Sequence, residues 1–386
     1  MTSTHWWAQV SRIRAGGPRS GQHRAPQRGQ RPHSGSSTEF GAGATSLSGA
    51  GRPGMLGPMT VESPTPGTPH GDVLFVLDPL STVHPNKDSS YLMIAEAQRR
   101  GFQPWAVEMG GLLLRGADAY GYATPISVPR LGQPVVVRGP SEVRELGSFR
   151  VVLMRKDPPV DPHFILATWV LDRAAKKTLV LNDPQGLRDL SEKLAILEFP
   201  EFIPRSFLLR NIGDLRDALA ELGGQMILKP VYGYGGREVL IAREGDPNLT
   251  TLFELATRDG TTWTIAQAFV PAAKLGDKRI LLVDGEPIGA VLRVPADGEL
   301  RNNFHAGGSP AATELSARDL AIAAAVGPFV RSRGQFFVGL DVLGDYLTEI
   351  NVTSPTGMQE INRLEHLSGD ATMQAKFWSA LESRLR

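Results

Sequence analysis

The chain contains no cysteine. That absence excludes a disulfide, a thiolate zinc site, an iron–sulfur cluster and a thiol nucleophile. It is compatible with a reducing compartment, and a cytoplasmic location is the expectation. Net charge is also nearly absent: 41 Lys and Arg against 40 Asp and Glu leave +1. Overall charge therefore points to no polyanionic partner, and no nucleic acid is expected. No apolar run reaches the length of a membrane span, so no membrane partner is expected. No apolar stretch follows the first charges, which excludes a secretory signal. The first strand-like segment is not followed by Gly-x-Gly-x-x-Gly, so a dinucleotide fingerprint is missing there.

The 386 residues suffice for two or three domains. Composition changes sharply near residue 70. Residues 1–70 are rich in Gly, Pro, Ser, Arg and Gln, with apolar residues scattered without period. Such a segment buries too little surface to offset its ordering entropy, and disorder is expected. It reads as a basic arm, a targeting segment or sequence upstream of the true start. Met55 and Met59, just before the globular texture, favour the last reading.

From Gly71 onward the pattern is globular. Asp72–Leu77, Phe102–Glu108, Pro134–Arg138, Val151–Met154 and Leu179–Leu181 read as strands. Helices are expected over Ser89–Arg100, Asp161–Arg173 and Leu187–Leu197, with Asn182-Asp183-Pro184 as a turn. Strand–helix–strand at the start implies a parallel sheet covered by helices. Arg155-Lys156-Asp157-Pro158-Pro159 follows a strand end, where ligands gather in open α/β sheets; a solvated connection is the other reading. Later, strands at Phe207–Arg210, Gln225–Pro230 and Glu238–Ala242 with glycine loops suggest a second architecture. Helices are expected at Ile212–Leu222, Ser316–Arg333 and from about Asp370 to the end.

Val338 to Pro355 reads as a β-hairpin turning near Gly344-Asp345, with Asp341, Glu349 and Asn351 set into apolar arms. Glu349 and Asn351, two apart, share a face. A plain two-residue loop would put Asp341 on the opposite face. An odd-numbered loop or a bulge would bring it opposite Glu349, and that is the expectation. Three oxygen ligands on one face suit Mg²⁺ or Mn²⁺, which commonly keep positions for phosphate oxygens. The alternative is an ordinary hairpin with solvated polar positions.

Lys229 ends a strand, and Gly233, Gly235 and Gly236 follow in a loop. The loop reads either as an anion nest beside a phosphate-binding lysine or as a plain tight turn. A strand rather than a helix follows, so this is not a Walker P-loop. Thr264 to Pro271 could line an adenine slot or serve as core. Arg293, alone in an apolar strand, is an edge charge or a buried anion binder. Residues 295–310, polar and glycine-containing, have the length of an active-site lid.

In this order these features resemble the ATP-grasp ligases, and most closely the bacterial glutathione synthetase family. The strings that carry the resemblance span nearly all of 71–386. They are Lys87-Asp88-Ser89-Ser90, the run Glu96 to Gly101, Met154-Arg155-Lys156-Asp157-Pro158-Pro159, Leu187-Arg188-Asp189 with Glu192-Lys193-Leu194, Ile227-Leu228-Lys229-Pro230, Gly276-Asp277-Lys278-Arg279, and Leu347 to Thr356. The resemblance implies an N-terminal open parallel α/β domain over 71–192. A two-subdomain ATP-grasp fold follows, with a central lid part over 193–270 and a catalytic part over 271–386.

It further implies that ATP phosphorylates the carboxylate of γ-glutamylcysteine and that glycine attacks the acyl phosphate. Lys193, Lys229 and Gly233, Gly235 and Gly236 would hold ATP phosphates, and Gln267, Ala268, Phe269 and Val270 the adenine. Asp341, Glu349 and Asn351 would bind Mg²⁺ or Mn²⁺. Arg279, Arg293 and Arg301 would form the catalytic set at the carboxylate or acyl phosphate. Arg155, Lys156, Asp157, Asn303, Gly307 and Gly308 would contact substrate. A homotetramer is also implied. The chain departs from the family at Ser309, where an arginine ends the lid, at His305, at Ala268-Phe269 in place of Asn-Tyr, and at Gly357-Met358. Two alternatives stand beside this reading. One is a carboxylate–amine ligase with another acceptor; the other is a non-catalytic nucleotide-binding protein.

Overall fold

The computed structural model describes residues 70–296, 302 and 307–386. Residues 1–69 lie outside it, as do Arg301, Asn303 and His305 of the expected lid. Among the described residues no helix is long and apolar enough to cross a membrane.

Three sheets organise the chain. In the first, Asp72–Leu77 pairs in parallel with Gln103–Glu108 on one side and Val151–Met154 on the other. Leu179–Leu181 extends it in parallel beyond Val151–Met154. Val73 to Leu77 are all at most 2% exposed, as expected for a strand covered on both faces. The expected parallel sheet is therefore present, with an antiparallel addition: Asp118–Ser127 joins Gln103–Glu108 and carries Leu112–Arg115 and Glu142–Glu145.

The helix expected over Leu187–Leu197 is a correction. The chain forms a helix over Pro184–Asp189 and a separate 3₁₀ turn over Ala195–Glu198. The supposed turn Asn182-Asp183-Pro184 is the helix start: the Asp183 side chain accepts from Gly186 N and Pro184 occupies the first turn. Ending that helix early frees residues 190–194 to run beside another strand.

The second sheet is antiparallel, in the order Leu240–Arg243, Gln225–Pro230, Thr264–Ala268, Ser206–Leu209. Helices Ile212–Glu221 and Leu249–Thr257 cover it, and Leu215, Leu219 and Phe253 meet Met226, Leu228 and Ala266 in a core of its own. The third sheet is also antiparallel: Ser309–Ala311, Glu286–Val294, Asp277–Val283, Phe337–Leu343, Tyr346–Asn351. Helix Ala317–Ser332 lies against it and starts with a capping box of Ser316 and Asp319.

The first and third sheets share their cores and several polar ties. The buried Asn182 side chain donates to Phe337 O and Val352 O and accepts from Phe336 N and Phe337 N. Glu96 accepts from Arg99 and Arg100, and Arg100 reaches Glu382 at 2.8 Å and Ala375 O at 3.0 Å on the last helix, Met373–Leu385. Trp378 Nε1 on that helix donates to Met93 O at 2.9 Å. The run Glu96 to Gly101 thus fastens the first sheet's opening helix to the end of the chain.

Candidate functional site

The hairpin meets the geometric expectation through a bulge. Leu343 pairs with Tyr346 around the two-residue loop Gly344-Asp345, and Val342 pairs with Leu347. The register then shifts, Thr348 is the extra residue, and Asp341 falls opposite Glu349. Thr348 Oγ1 donates to Asp341 O at 3.1 Å across the irregularity. Asn351, paired with Gly339, lies two residues on from Glu349 along the same strand face. A Cβ on Gly339 would come within 3.0 Å of the Arg279 side chain, so glycine leaves that side chain its passage.

Register also assembles the cations. Arg279 is the cross-strand partner of Asp341, and Arg293 of Asp277. Asp341 is 4% exposed and accepts two bonds from Arg279, with Nη2–Oδ2 at 3.0 Å, while Arg293 Nη2 lies 2.8 Å from it. Arg293 Nε donates to Asp277 at 2.8 Å. Burial alone would lift the Asp341 carboxyl, but Arg279 and then Arg293 hold it well below the usual range. For Arg293 burial acts downward, and Asp341 and Asp277 outweigh it, so its guanidinium is held more firmly protonated. Arg293 is thus a buried ion-pairing residue, not an edge charge.

Glu349 is held by Lys193, at 2.8 Å. Lys193 arrives because its neighbour docks on the outer strand. Ile350 N donates to Glu192 O, and the Glu192 carboxylate accepts from Val352 N, Thr353 N and Thr353 Oγ1 at 2.9–3.0 Å. Burial, then Glu349, raises the Glu192 carboxyl. Lys193 Nζ also donates to Gly233 O, which brings the glycine loop to the same corner. Gly235 and Gly236 have φ of +63° and +70°, and a Cβ on Gly233 would stand 2.4 Å from the Pro230 ring. The loop backbone therefore depends on glycine.

Lys229 faces this corner from the second sheet with a different partner. Its Nζ donates to Gln267 Oε1 at 2.7 Å, and Gln267 Nε2 donates to Ser206 Oγ at 2.8 Å. Gln267 is opposite Ile227, so Lys229 sits diagonally across on the same face. Burial pushes the ammonium down to about 8. The structure places Gln267 against Lys229; Ala268, the last residue of the strand, and Phe269 just past it are half-buried, and Val270 is buried. Gly307 and Gly308 lead into Ser309–Ala311, whose Pro310 pairs with Arg293, so the described end of the lid segment returns beside that arginine.

The Arg155 loop turns inward. Arg155 is 5% exposed and donates to Ser90 Oγ at 3.0 Å and Pro355 O at 2.9 Å; burial pushes it down to about 10. Lys156 pairs with Asp78 at 2.9 Å, and Asp157 is exposed. Arg155 thereby joins the carboxyl end of the first sheet to the loop after Asn351.

The oxygen-only set of Asp341, Glu349 and Asn351 fits a hard divalent cation. Among the described residues no three His, Cys, Asp or Glu side chains cluster in a metal-binding arrangement, so the amide of Asn351 is needed as the third donor. Both Asp341 oxygens already face guanidinium groups, whereas Glu349 is held through one oxygen and Asn351 is engaged through Nδ2, to Gly339 O. Sequence reasoning missed Asp277 and Glu192. Asp277 was visible as the first residue of a strand beside Arg293; Glu192 was hidden by the mistaken helix.

Comparison with known proteins identifies the family and the fold. Residues 72–188 match the model of the prokaryotic glutathione synthetase N-terminal domain, and 192–366 that of the prokaryotic glutathione synthetase ATP-grasp domain. A glutathione synthetase of Shewanella oneidensis is 43% identical over 312 residues, covering 80% of this chain and 98% of the relative. That of Xanthomonas campestris pv. campestris is 46% identical over 293 residues, covering 75% and 92%. Among solved structures, D-cycloserine synthetase DcsG superposes with a TM-score of 0.58 at 15% identity, covering 82% of this chain and all of that one. A RimK domain ATP-grasp protein from Sphaerobacter thermophilus gives 0.52 at 18% identity, covering 79% and 98%. At those identities the structural likeness speaks for the fold, which is ATP-grasp. The sequence likeness is far closer and runs through both matched domains: this chain belongs to the prokaryotic glutathione synthetase family.

Proposed function

We propose that this chain joins γ-glutamylcysteine to glycine, with ATP converted to ADP and phosphate through an acyl phosphate. The observation that carries the reading is the convergence of Lys193, Glu349, Asp341 and the glycine loop on one corner. Phosphoryl transfer asks for alignment and charge neutralisation rather than a covalent partner, and this cysteine-free corner is built of both.

Lys229 and Lys193 receive the ATP phosphates, and the amides around Gly233, Gly235 and Gly236 fold over them. Ala268 to Val270 line the adenine slot, with Gln267 behind Lys229. Asp341, Glu349 and Asn351 would hold a divalent cation, Mg²⁺ or Mn²⁺, which would supply charge neutralisation for phosphoryl transfer. Arg279 and Arg293 turn toward the peptide carboxylate as it becomes an acyl phosphate, together with Arg301. Arg155, Lys156 and Asp157 bound the peptide side of the cleft. Residues 295–310, with Asn303, Gly307 and Gly308, exclude water, which would otherwise hydrolyse the intermediate. The domain limits are 71–192, 193–270 and 271–386, the assembly a homotetramer, and the location cytoplasmic.

ADP release with Mg²⁺ and ATP tests the reading. Turnover that requires both γ-glutamylcysteine and glycine supports it. Turnover with a different amine identifies another carboxylate–amine ligase, and nucleotide binding without turnover under any acceptor identifies a non-catalytic protein.

A further inference from the structure

The two described arginines of the corner are held unequally. Among the described residues Arg279 has one carboxylate, Asp341, and beyond it only the carbonyl of Thr356, at 3.3 Å. Arg293 has two. Its Nε and Nη2 both donate to Asp277, with Nε–Oδ1 at 2.8 Å, and Nη2 also lies 2.8 Å from Asp341 Oδ2. Asp277 is a carboxylate to which the scheme above gives no task.

Register places it there. Asp277 and Arg279, two apart on the strand Asp277–Val283, share a face of the third sheet. Asp277 is opposite Arg293 on one neighbouring strand, and Arg279 is opposite Asp341 on the other. Gly276 has a φ of +109°, and a Cβ there would stand 2.5 Å from Arg293 O, so glycine lets the strand begin this close to Arg293. The Asp277 and Arg293 side chains are 14% and 5% exposed, so water screens their attraction little.

Without Asp277, Asp341 would face two guanidinium groups in a set of net positive charge. Such a set repels a divalent cation, and both arginines compete with it for the same two oxygens. Asp277 makes the set neutral and gives Arg293 a bidentate partner other than Asp341. Asp341 can then give up Arg293 without leaving that buried guanidinium unpaired, which would be a costly state.

We propose that Asp277 is a positioning residue for the cation site: it holds Arg293 so that Asp341 is left able to take a divalent cation. This rests on the metal site of the ligase reading above. Arg293 stays clamped to Asp277 and meets the reacting carboxylate from a fixed place. Arg279 loses its one carboxylate partner when Asp341 turns to the cation, and is the arginine that moves to the new anion.

The test is a double-mutant cycle read by Mn²⁺ binding rather than turnover. Free Mn²⁺ is followed by electron paramagnetic resonance in the presence of ADP, corrected for the Mn²⁺–ADP complex in buffer. Asp277→Asn should weaken Mn²⁺ binding roughly 10-fold, the low end for removing a group that orients a metal ligand. In the Arg293→Gln background the same substitution should change it no more than about two-fold, because its effect passes through Arg293. Unchanged Mn²⁺ affinity in Asp277→Asn overturns the inference. An equal loss in both backgrounds indicates a through-space charge effect and overturns it too. Wild type that takes up no Mn²⁺ beyond the buffer complex overturns the cation site itself, and the inference with it. If Asp277→Asn does not fold, the wild-type protein labelled with ¹⁵N-arginine decides. Saturating Mg²⁺ and ADP should move the Nε–H signal of Arg279 and leave that of Arg293 in place, and any other pattern overturns the inference.

Discussion

The two sheets that face the corner proposed for the nucleotide handle charge in opposite ways. On the third sheet every functional charge is already paired: Asp341 with two arginines, Arg293 with two aspartates, Glu349 with Lys193. On the second sheet the one side-chain partner of Lys229 among the described residues is the neutral amide of Gln267. Paired groups fix geometry before any ligand arrives. An ammonium with a neutral partner remains available to a phosphate, at the cost of weak support in the ligand-free state. On the proposed function, one side of the corner serves position and the other uptake of negative charge.

Substitutions on the two sides should separate these roles. Asp341→Asn leaves the buried Arg279 guanidinium without its carboxylate, takes one of two from Arg293, and should destabilise by about 3–5 kcal/mol, the cost of breaking a buried ion pair from one side. A urea melt reads it, and activity should vanish as well. Lys229→Met should do the reverse. Nucleotide affinity, read by calorimetry, should fall by roughly 10-fold or more, as one charge-assisted hydrogen bond implies. Stability should be unchanged or higher.

That second contrast depends on pH with a definite sign. Lys229 is depressed to about 8 in the fold. Between that value and its ordinary value of about 10.4 the unfolded chain binds more protons, so the fold gains stability as pH rises. Below about 8 the full cost of the buried ammonium is present. The stability advantage of Lys229→Met over wild type should therefore be largest near pH 7 and shrink toward pH 10. An advantage that grows with pH would break the comparison. Further from the corner, Arg100→Ala should cost about 1.5–3 kcal/mol through its bonds to Glu96 and Glu382, with turnover per folded molecule nearly unchanged.

Local rules read part of this arrangement directly from the sequence. The bulge was legible because period-two alternation allows Asp341 to face Glu349 only if one arm carries an extra residue, and Thr348 is that residue. The glycine loop was legible because Gly235 and Gly236 occupy positive φ. The seam between sheets was not. Lys193 reaches Glu349 only because Glu192 docks on the edge of a strand some 160 residues later in the chain, through Val352 N and Thr353 N. No local pattern encodes such a contact, and reading a helix over Leu187–Leu197 concealed it. Gln267 likewise read as part of an adenine slot, because its diagonal relation to Lys229 exists only once the strands pair.

The paired side of the corner is tested most directly by ADP release from Glu349→Gln beside wild type, at saturating ATP, Mg²⁺, γ-glutamylcysteine and glycine. The substitution keeps the shape of the side chain and removes the charge that pairs with Lys193 and that is proposed to hold the cation. The expected result is a loss of about 10³-fold or more, on the scale of removing a preorganised electrostatic group, with the fold intact by circular dichroism. Wild-type-like turnover in that variant would contradict the assignment of this corner as the place where ATP is used.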